Sequence, residues 1–257
     1  MRIKFRYLYN EAEKRHIDKI ATGHYARVEY NSQNKRYQLL KGQDQSKDQS
    51  YFLWKLPQKY LSKIIFPLGD RKKTDIAKYI DTNELLERKT GESQDICFIP
   101  GNDYRHFLTE YKPESIDNFQ EGEITNPKGE VLGTHSGFYN FTIGQRKGFH
   151  VDTPGKQYVK SIDPEKNQIT VTGNKDLFSH QMVIKNCNWV SREGQEEIEG
   201  LLKPRYRSKG AQCRAIRIGE DQYRIEFKKK QRALTPGQSA VLYQDDRVIF
   251  GGIITNK

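Results

Sequence analysis

Long apolar runs are missing from this sequence. No window approaches the roughly 18 uninterrupted apolar residues of a membrane span, and the opening MRIKFRYLYNEAEKRH is too charged for the apolar core of a secretion signal. The expectation is a cytoplasmic protein with no membrane partner. Cysteine is scarce: Cys97, Cys187 and Cys213 are odd in number and widely spaced, with no CxxC pair and no Cys/His cluster at zinc-ligand spacing. That argues against a disulfide scaffold and against a structural zinc site, and no metal-ligating residue is singled out. Internal repeats, low-complexity linkers and coiled-coil heptads are also absent. Acidic residues run short, 33 Asp plus Glu against 44 Lys plus Arg, for a net charge of +11. The deficit suits phosphate backbones, whose counterions basic side chains release, and equally suits a plain solvated basic face.

At 257 residues the chain exceeds one ordinary domain, and two or three are expected. Ile3, Tyr7, Leu8 and Ala12 recur at helical spacing, and DKIATGHYARV reads as a strand running into a glycine turn. The polar loop KGQDQSKDQS leads into apolar YFLWKL. After the PLGD turn, TDIAKYI begins with Thr74 and Asp75, residues suited to capping a helix. This alternation fits an α/β layer, although the residues before Cys97 hold too few strands for a complete doubly wound sheet. From about residue 105 short β-rich runs with Gly, Pro and Asn turns take over. The tail (MVIKNCNWV, AQCRAIRI, QYRIEFKKK, SAVLYQDDRVIFGGII) is spaced as in a small antiparallel barrel or sandwich.

Three short stretches and a set of basic runs can carry chemistry. In ATGHY, Gly23 lets a ligand approach the backbone, or marks an ordinary turn, and His24 bonds a nucleotide or RNA, or caps the loop. In KDQS, Lys47 can neutralise phosphate and Gln49 can pair with a base edge; alternatively Asp48 or Ser50 caps the next turn. The basic runs TIGQRKG, KPRYRSKGAQCRAIR and KKKQR include Arg205, Tyr206 and Arg207, where guanidinium and ring alternate as phosphate contact plus base stacking requires. GESQDICFIP sets Asp95 two residues before Cys97; a thiol in an apolar run is ordinarily core, as Cys187 and Cys213 are expected to be.

Taken in order, ATGHYARV, SKDQSYFLW, GESQDICFI, FTIGQRKG, KPRYRSKGAQC and LTPGQSAVLY closely resemble the tRNA-specific 2-thiouridylase family over nearly the whole chain. The resemblance implies an α/β plus β architecture. Residues 1–104 would be the C-terminal part of a PP-loop, adenine-nucleotide hydrolase-like catalytic domain, 105–172 a small β-rich central domain, and 173–257 a C-terminal antiparallel, tRNA-binding β-barrel. It also implies an activity: ATP with Mg2+ adenylates the C2 oxygen of the tRNA wobble uridine, and sulfur from a persulfide donor protein, carried as a cysteine persulfide, replaces it. Cys97 matches the persulfide carrier and Gly23 the nucleotide-contacting glycine. His24, Lys47, Asp48, Gln49, Arg205, Tyr206 and Gln238 match tRNA contacts; Asp95 matches no role beyond ordering its loop.

The sequence departs from the family in one region. The SGGxDS phosphate loop, the Asn-Pro-Asp element and the first catalytic cysteine have no counterpart, and the one double glycine is Gly251-Gly252. The family pattern Cys-Asn-x-x-Ile-Lys-Phe continues into Met1-Arg2-Ile3-Lys4-Phe5. The expectation is a chain that binds anticodon stem-loop RNA but does not thiolate it alone. The competing readings are a non-enzymatic tRNA-binding paralogue and one half of a split enzyme whose separate polypeptide supplies the loop and thiol.

Overall fold

A computed structural model describes residues 2–83 and 121–255 together with residues 99, 106, 107 and 110. The chain divides into two compact units, one drawn from Met1–Glu87, His180–Lys230 and Thr235–Lys257, the other from Arg88–Ser179 and Gln231–Leu234.

The first unit opens with helix α1 (Arg2–Lys14). Its buried face carries Phe5 and Ala12, with Leu8 and Tyr9 half-buried. The expected face included Tyr7, which instead points to solvent at 64% exposure; the stripe is rotated so that Tyr9 packs, its ring 4.6 Å from that of Tyr60. The strand expected over DKIATGHYARV is broken. Strand β1 (Ile20–Ala21) pairs in parallel with β4 (Ile64–Ile65), whereas β2 (Ala26–Asn31) forms an antiparallel hairpin with β3 (Arg36–Lys41). Asn31 Oδ1 shapes the hairpin loop by accepting the Gln33 N–H at 2.9 Å.

YFLWKL forms a single helical turn, α2 (Ser50–Leu53), followed by α3 (Gln58–Leu61). Turns this short persist through packing rather than propensity, and Leu53, Trp54, Leu56 and Leu61 are all buried. Helix α4 (Lys73–Thr82) starts earlier than Thr74 and Asp75 suggest: Lys72 is its N-cap and no side chain of its own caps it. The cap comes from Asp44, whose Oδ2 accepts the Lys73 N–H at 3.0 Å, a carboxylate on a helix N-terminus.

The rest of this unit is a closed antiparallel barrel in the order β13 (Ser239–Gln244), β10 (Glu197–Lys203), β11 (Ala211–Gly219), β12 (Gln222–Arg232), β9 (Phe178–Trp189), β14 (Arg247–Thr255), with β14 returning to β13. Beyond the end of β9, the free edge of β14 takes β3 in the register Arg247↔Leu40 and Val248↔Leu39, so the hairpin extends the barrel sheet. Helix–strand alternation alone does not reveal this pairing. It explains why β13 and β14 read as unbroken apolar runs: both faces are covered. Val241, Tyr243 and Val248 join a core with Phe5, Leu39, Leu53, Trp54 and Phe66, while Leu242 and Phe250 are equally buried, Phe250 stacking on Trp189 at 4.7 Å.

The double glycine belongs to this packing. A Cβ at Gly251 would stand 2.6 Å from the Trp54 indole, and one at Gly252 2.8 Å from Cys187 Sγ. Only glycine lets the ring lie on the strand backbone.

In the second unit, β5 (Gly122–Thr125), β6 (Val131–His135), β7 (Gln157–Asp163) and β8 (Gln168–Gly173) form a sheet in the order β6-β5-β8-β7, with β5 and β8 parallel. Ile124, Phe141, Val159, Ile169 and Val171 make its core. Among the described residues no helix is long and apolar enough to cross a membrane.

Candidate nucleic-acid interface

The turn at residues 42–50 is organised by Asp48, which is 4% exposed. Its Oδ1 accepts the N–H groups of Gly42 at 3.1 Å and Ser50 at 3.0 Å, and its Oδ2 accepts the Ser50 hydroxyl at 3.0 Å. Ser50 Oγ lies 3.2 Å from the phenol oxygen of Tyr243 on β13. Burial, with the Asp48 charge adding to it, pushes the Tyr243 pKa up, so the phenol stays neutral. The ammonium groups of Lys41 and Lys203 lie 5.0 and 5.9 Å from the centre of the Tyr243 ring. Burial lowers the Lys203 pKa, Asp48 opposing and Lys41 assisting that shift. The Asp48 oxygens are thus committed to ordering the turn and tying it to the barrel.

Gln49 joins this turn to the ATGHY segment. Its N–H donates to the Tyr25 carbonyl at 2.8 Å and its Oε1 accepts the Tyr25 N–H at 3.0 Å. His24, one residue before, has Nδ1 2.9 Å from Thr22 Oγ1, its ring 5.5 Å from Phe5 and 5.8 Å from Phe66. Burial, followed by Lys4, lowers its pKa. Its Nε2 has no hydrogen-bond partner among the described residues. Gly23 is exposed, its φ lies outside the left-handed region, and a Cβ there would meet only Leu68 Cδ1 at 3.8 Å.

Tyr206 meets the helical turn that follows KDQS, its ring 4.4 Å from Phe52 and 5.9 Å from Tyr51. The Tyr51 hydroxyl donates to the Ser239 carbonyl at 2.6 Å, and burial, opposed by Arg205, pushes its pKa up to about 12. Arg205 and Gln238 are exposed and Lys47 is half-buried. The Gln238 carbonyl accepts the Ile254 N–H at 2.8 Å, leaving its side chain to solvent. The Tyr25–Gln49 hydrogen bonds thus tie the segment that carries Gly23 and His24 to the turn that carries Lys47 and Asp48, and Ser50, Tyr51 and Phe52 continue that turn to Tyr206, Arg205 and the neighbourhood of Gln238. Sequence reasoning missed Phe52 and Tyr243. A signal for Phe52 was present, since three consecutive apolar residues on a single helical turn cannot all face one core, and Phe52 is 45% exposed.

Cys97 and Asp95 lie outside the described residues. Cys187 and Cys213 are free thiols, and burial pushes both up to about 12, with Asp221 and Glu199 respectively adding to the shift. Neither forms appreciable thiolate at neutral pH. Among the described residues no three His, Cys, Asp or Glu side chains gather to hold a metal ion. In the second unit TIGQRKG forms a loop on β7, with Arg146 and Lys147 exposed.

Comparison with known proteins covers almost the entire length. Residues 1–101 match the tRNA methyl transferase HUP domain, 105–173 the tRNA methyl transferase PRC-barrel domain, and 179–254 the aminomethyltransferase beta-barrel domain. The chain is 40% identical to the tRNA-specific 2-thiouridylase MnmA of Acidobacterium capsulatum, over 98% of this chain and 69% of that protein. It is 39% identical to MnmA 2 of Syntrophus aciditrophicus, over 98% and 79%. With MnmA 1 of Caldanaerobacter subterraneus subsp. tengcongensis it shares 41% identity, over 99% and 70%.

Proposed function

The chain belongs to the tRNA-specific 2-thiouridylase family, and from that premise we propose that it serves the ATP-dependent exchange of the C2 oxygen of a tRNA wobble uridine for sulfur, in the cytoplasm. ATP with Mg2+ would supply activation of that oxygen as a leaving group. Cys97, loaded by a persulfide donor protein, presents a terminal sulfur to C2; the C–S bond forms as the activated oxygen departs. A second thiolate then attacks Cys97 Sγ, forming an inter-cysteine disulfide and releasing the thiolated base. Cys187 and Cys213 are poor candidates for that second thiol, being buried with raised pKa.

The observation that carries the reading is the gathering of His24, Lys47, Gln49, Arg205, Tyr206 and Gln238 around the Asp48 turn. Lys47 and Arg205 serve phosphate, Tyr206 with Phe52 offers ring faces to unpaired bases, and His24 and the Gln49 NH2 serve hydrogen-bonded readout. Asp48 acts by positioning its neighbours. Gly23 supports close approach of a nucleotide: neither φ nor neighbouring atoms demand glycine there, so the missing side chain leaves room for something outside the fold.

Two measurements test this. Labelled sulfur from a persulfide donor should load the chain and the Cys187→Ser and Cys213→Ser variants but not Cys97→Ser; equal loading of all three variants overturns the assignment. Tyr206→Ala should weaken binding of an anticodon stem-loop by about tenfold, as loss of one stacked base does; an unchanged affinity removes the barrel face from the RNA path.

A further inference from the structure

Where the β2–β3 hairpin lies along the barrel, a polar cleft of about 210 Å³ remains between the hairpin loop, the segment after β9, and β14. None of its lining residues is among those assigned above, and most of its wall is explained by the fold. Asn31 Oδ1 holds the hairpin loop, Asn34 Nδ2 donates to the Ser191 carbonyl at 3.0 Å, and Ser191 Oγ donates to the Val248 carbonyl at 2.6 Å.

Three lining groups are not so explained. Gln38 on β3 is 8% exposed, and its carboxamide makes no hydrogen bond among the described residues; its polar atoms are not sealed from solvent, so the amide opens on the cleft, where a ligand group can replace the water that meets it. Arg192 holds only Gln195 Oε1, at 3.5 Å, and Arg247 only the exposed carboxylate of Asp245, at 3.2 Å. The contrast is Arg36, whose guanidinium is bound to the Trp189 and Val190 carbonyls. Ile249, 1% exposed, closes the floor behind these groups.

We propose that this cleft binds one nucleoside monophosphate unit, Gln38 reading a base edge while Arg192 and Arg247 hold the phosphate. A carboxamide offers a donor and an acceptor side by side, the pattern that matches the N6/N7 edge of adenine. A guanidinium fork matches phosphate oxygens and outweighs the single solvated carboxylate of Asp245. The volume falls below that of ordinary drug-sized pockets, so the cleft encloses the base while the phosphate stays at its mouth beside the half-buried arginines. The nucleotide comes either from solution or from an unstacked position of a bound RNA. None of this rests on the thiolation reading or on Cys97.

Titration of the full chain with AMP, followed by calorimetry, tests the assignment, with inorganic phosphate as the anion control. Saturable AMP binding is expected, weakened by about tenfold or more in Arg192→Ala/Arg247→Ala and in Gln38→Met, a near-isosteric change. Gln38→Met should leave phosphate binding unchanged, and thermal melting of each variant reports whether it is folded. If a single-stranded adenine-rich RNA competes with AMP, the occupant comes from RNA; if AMP binds without such competition, it is a free nucleotide. The proposal is overturned by absence of saturable AMP binding, by phosphate binding as tightly as AMP, by Gln38→Met leaving AMP affinity intact, or by AMP affinity intact in the folded arginine double variant.

Discussion

The turns at residues 42–50 and 142–148 are both rich in polar side chains, and in each one side chain reaches back to the backbone. In the first that side chain is a buried carboxylate, Asp48, linked through Ser50 to Tyr243, a residue 193 positions later. In the second it is a neutral amide. Gln145 Oε1 accepts the Thr142 N–H at 3.0 Å and its Nε2 donates to the Lys147 carbonyl at 2.7 Å, while the backbone of Gly144 and Gln145 exchanges two hydrogen bonds with Val159 on β7. A charge taken out of water must be met by several donors, so the Asp48 turn has one permitted shape and depends on a distant strand. The amide carries no such penalty, and its turn is built mainly on the sheet nearest in sequence.

That contrast can be broken by experiment. The largest effect expected is from Asp48→Ala, which strands the Gly42 and Ser50 N–H groups and should cost about 3 kcal/mol, against about 1 kcal/mol for Gln145→Ala. Urea unfolding with hydrogen exchange resolved by unit separates the two, and equal losses would erase the distinction. Gly144→Ala should cost about 2 kcal/mol in the second unit, because its φ is +87° and a Cβ would stand 2.8 Å from Ala233 Cβ; a neutral substitution would mean that loop has more freedom than its bonds imply. In RNA binding, Lys47→Ala should lower the salt slope by roughly 0.7 to 1, the share of one phosphate contact, with Arg146→Ala/Lys147→Ala leaving it unchanged. Matching slopes would put both turns on the RNA.

The smallest effect is in pH. Burial is the main cause lowering the pKa of His24 in the first unit and of His135 in the second. A histidine whose folded pKa lies below its unfolded value contributes stability that is complete above about pH 6.5 and is lost as pH falls below it. Both units should therefore loosen on mild acidification, and His24→Gln should flatten the profile of the first alone. A flattened second profile would show that the two titrate together.

How much was legible follows from which interactions are local. The α1 stripe was readable from spacing, but not that Tyr9 would displace Tyr7, since that choice belongs to Tyr60 far along the chain. Thr74 and Asp75 were reasonable caps by composition, yet the carboxylate that does the capping sits on Asp44. The apolar runs of β13 and β14 were read as strands of a small barrel or sandwich, without a sign that the β2–β3 hairpin and the helical turns cover their second face. KDQS displayed both of its readings. For Asp48 the geometry favours the turn-ordering one, a matter decided by Tyr243 and Ser50 that no local window contains. Gly251-Gly252 was noticed as a phosphate loop that was not there; its reason is the indole of Trp54.

The pairing of β3 with β14 has a consequence during synthesis. Leu39, Leu53 and Trp54 are made about 200 residues before the strand that covers them, which includes Gly251. At roughly 5 to 20 residues per second that is a wait of roughly 10 to 40 s with apolar surface uncovered. The barrel cannot finish early either, because β14 is also its closing strand. This one strand therefore seals two cores at once, and until it arrives the nascent chain is a client for whatever in the cell shields unfinished proteins.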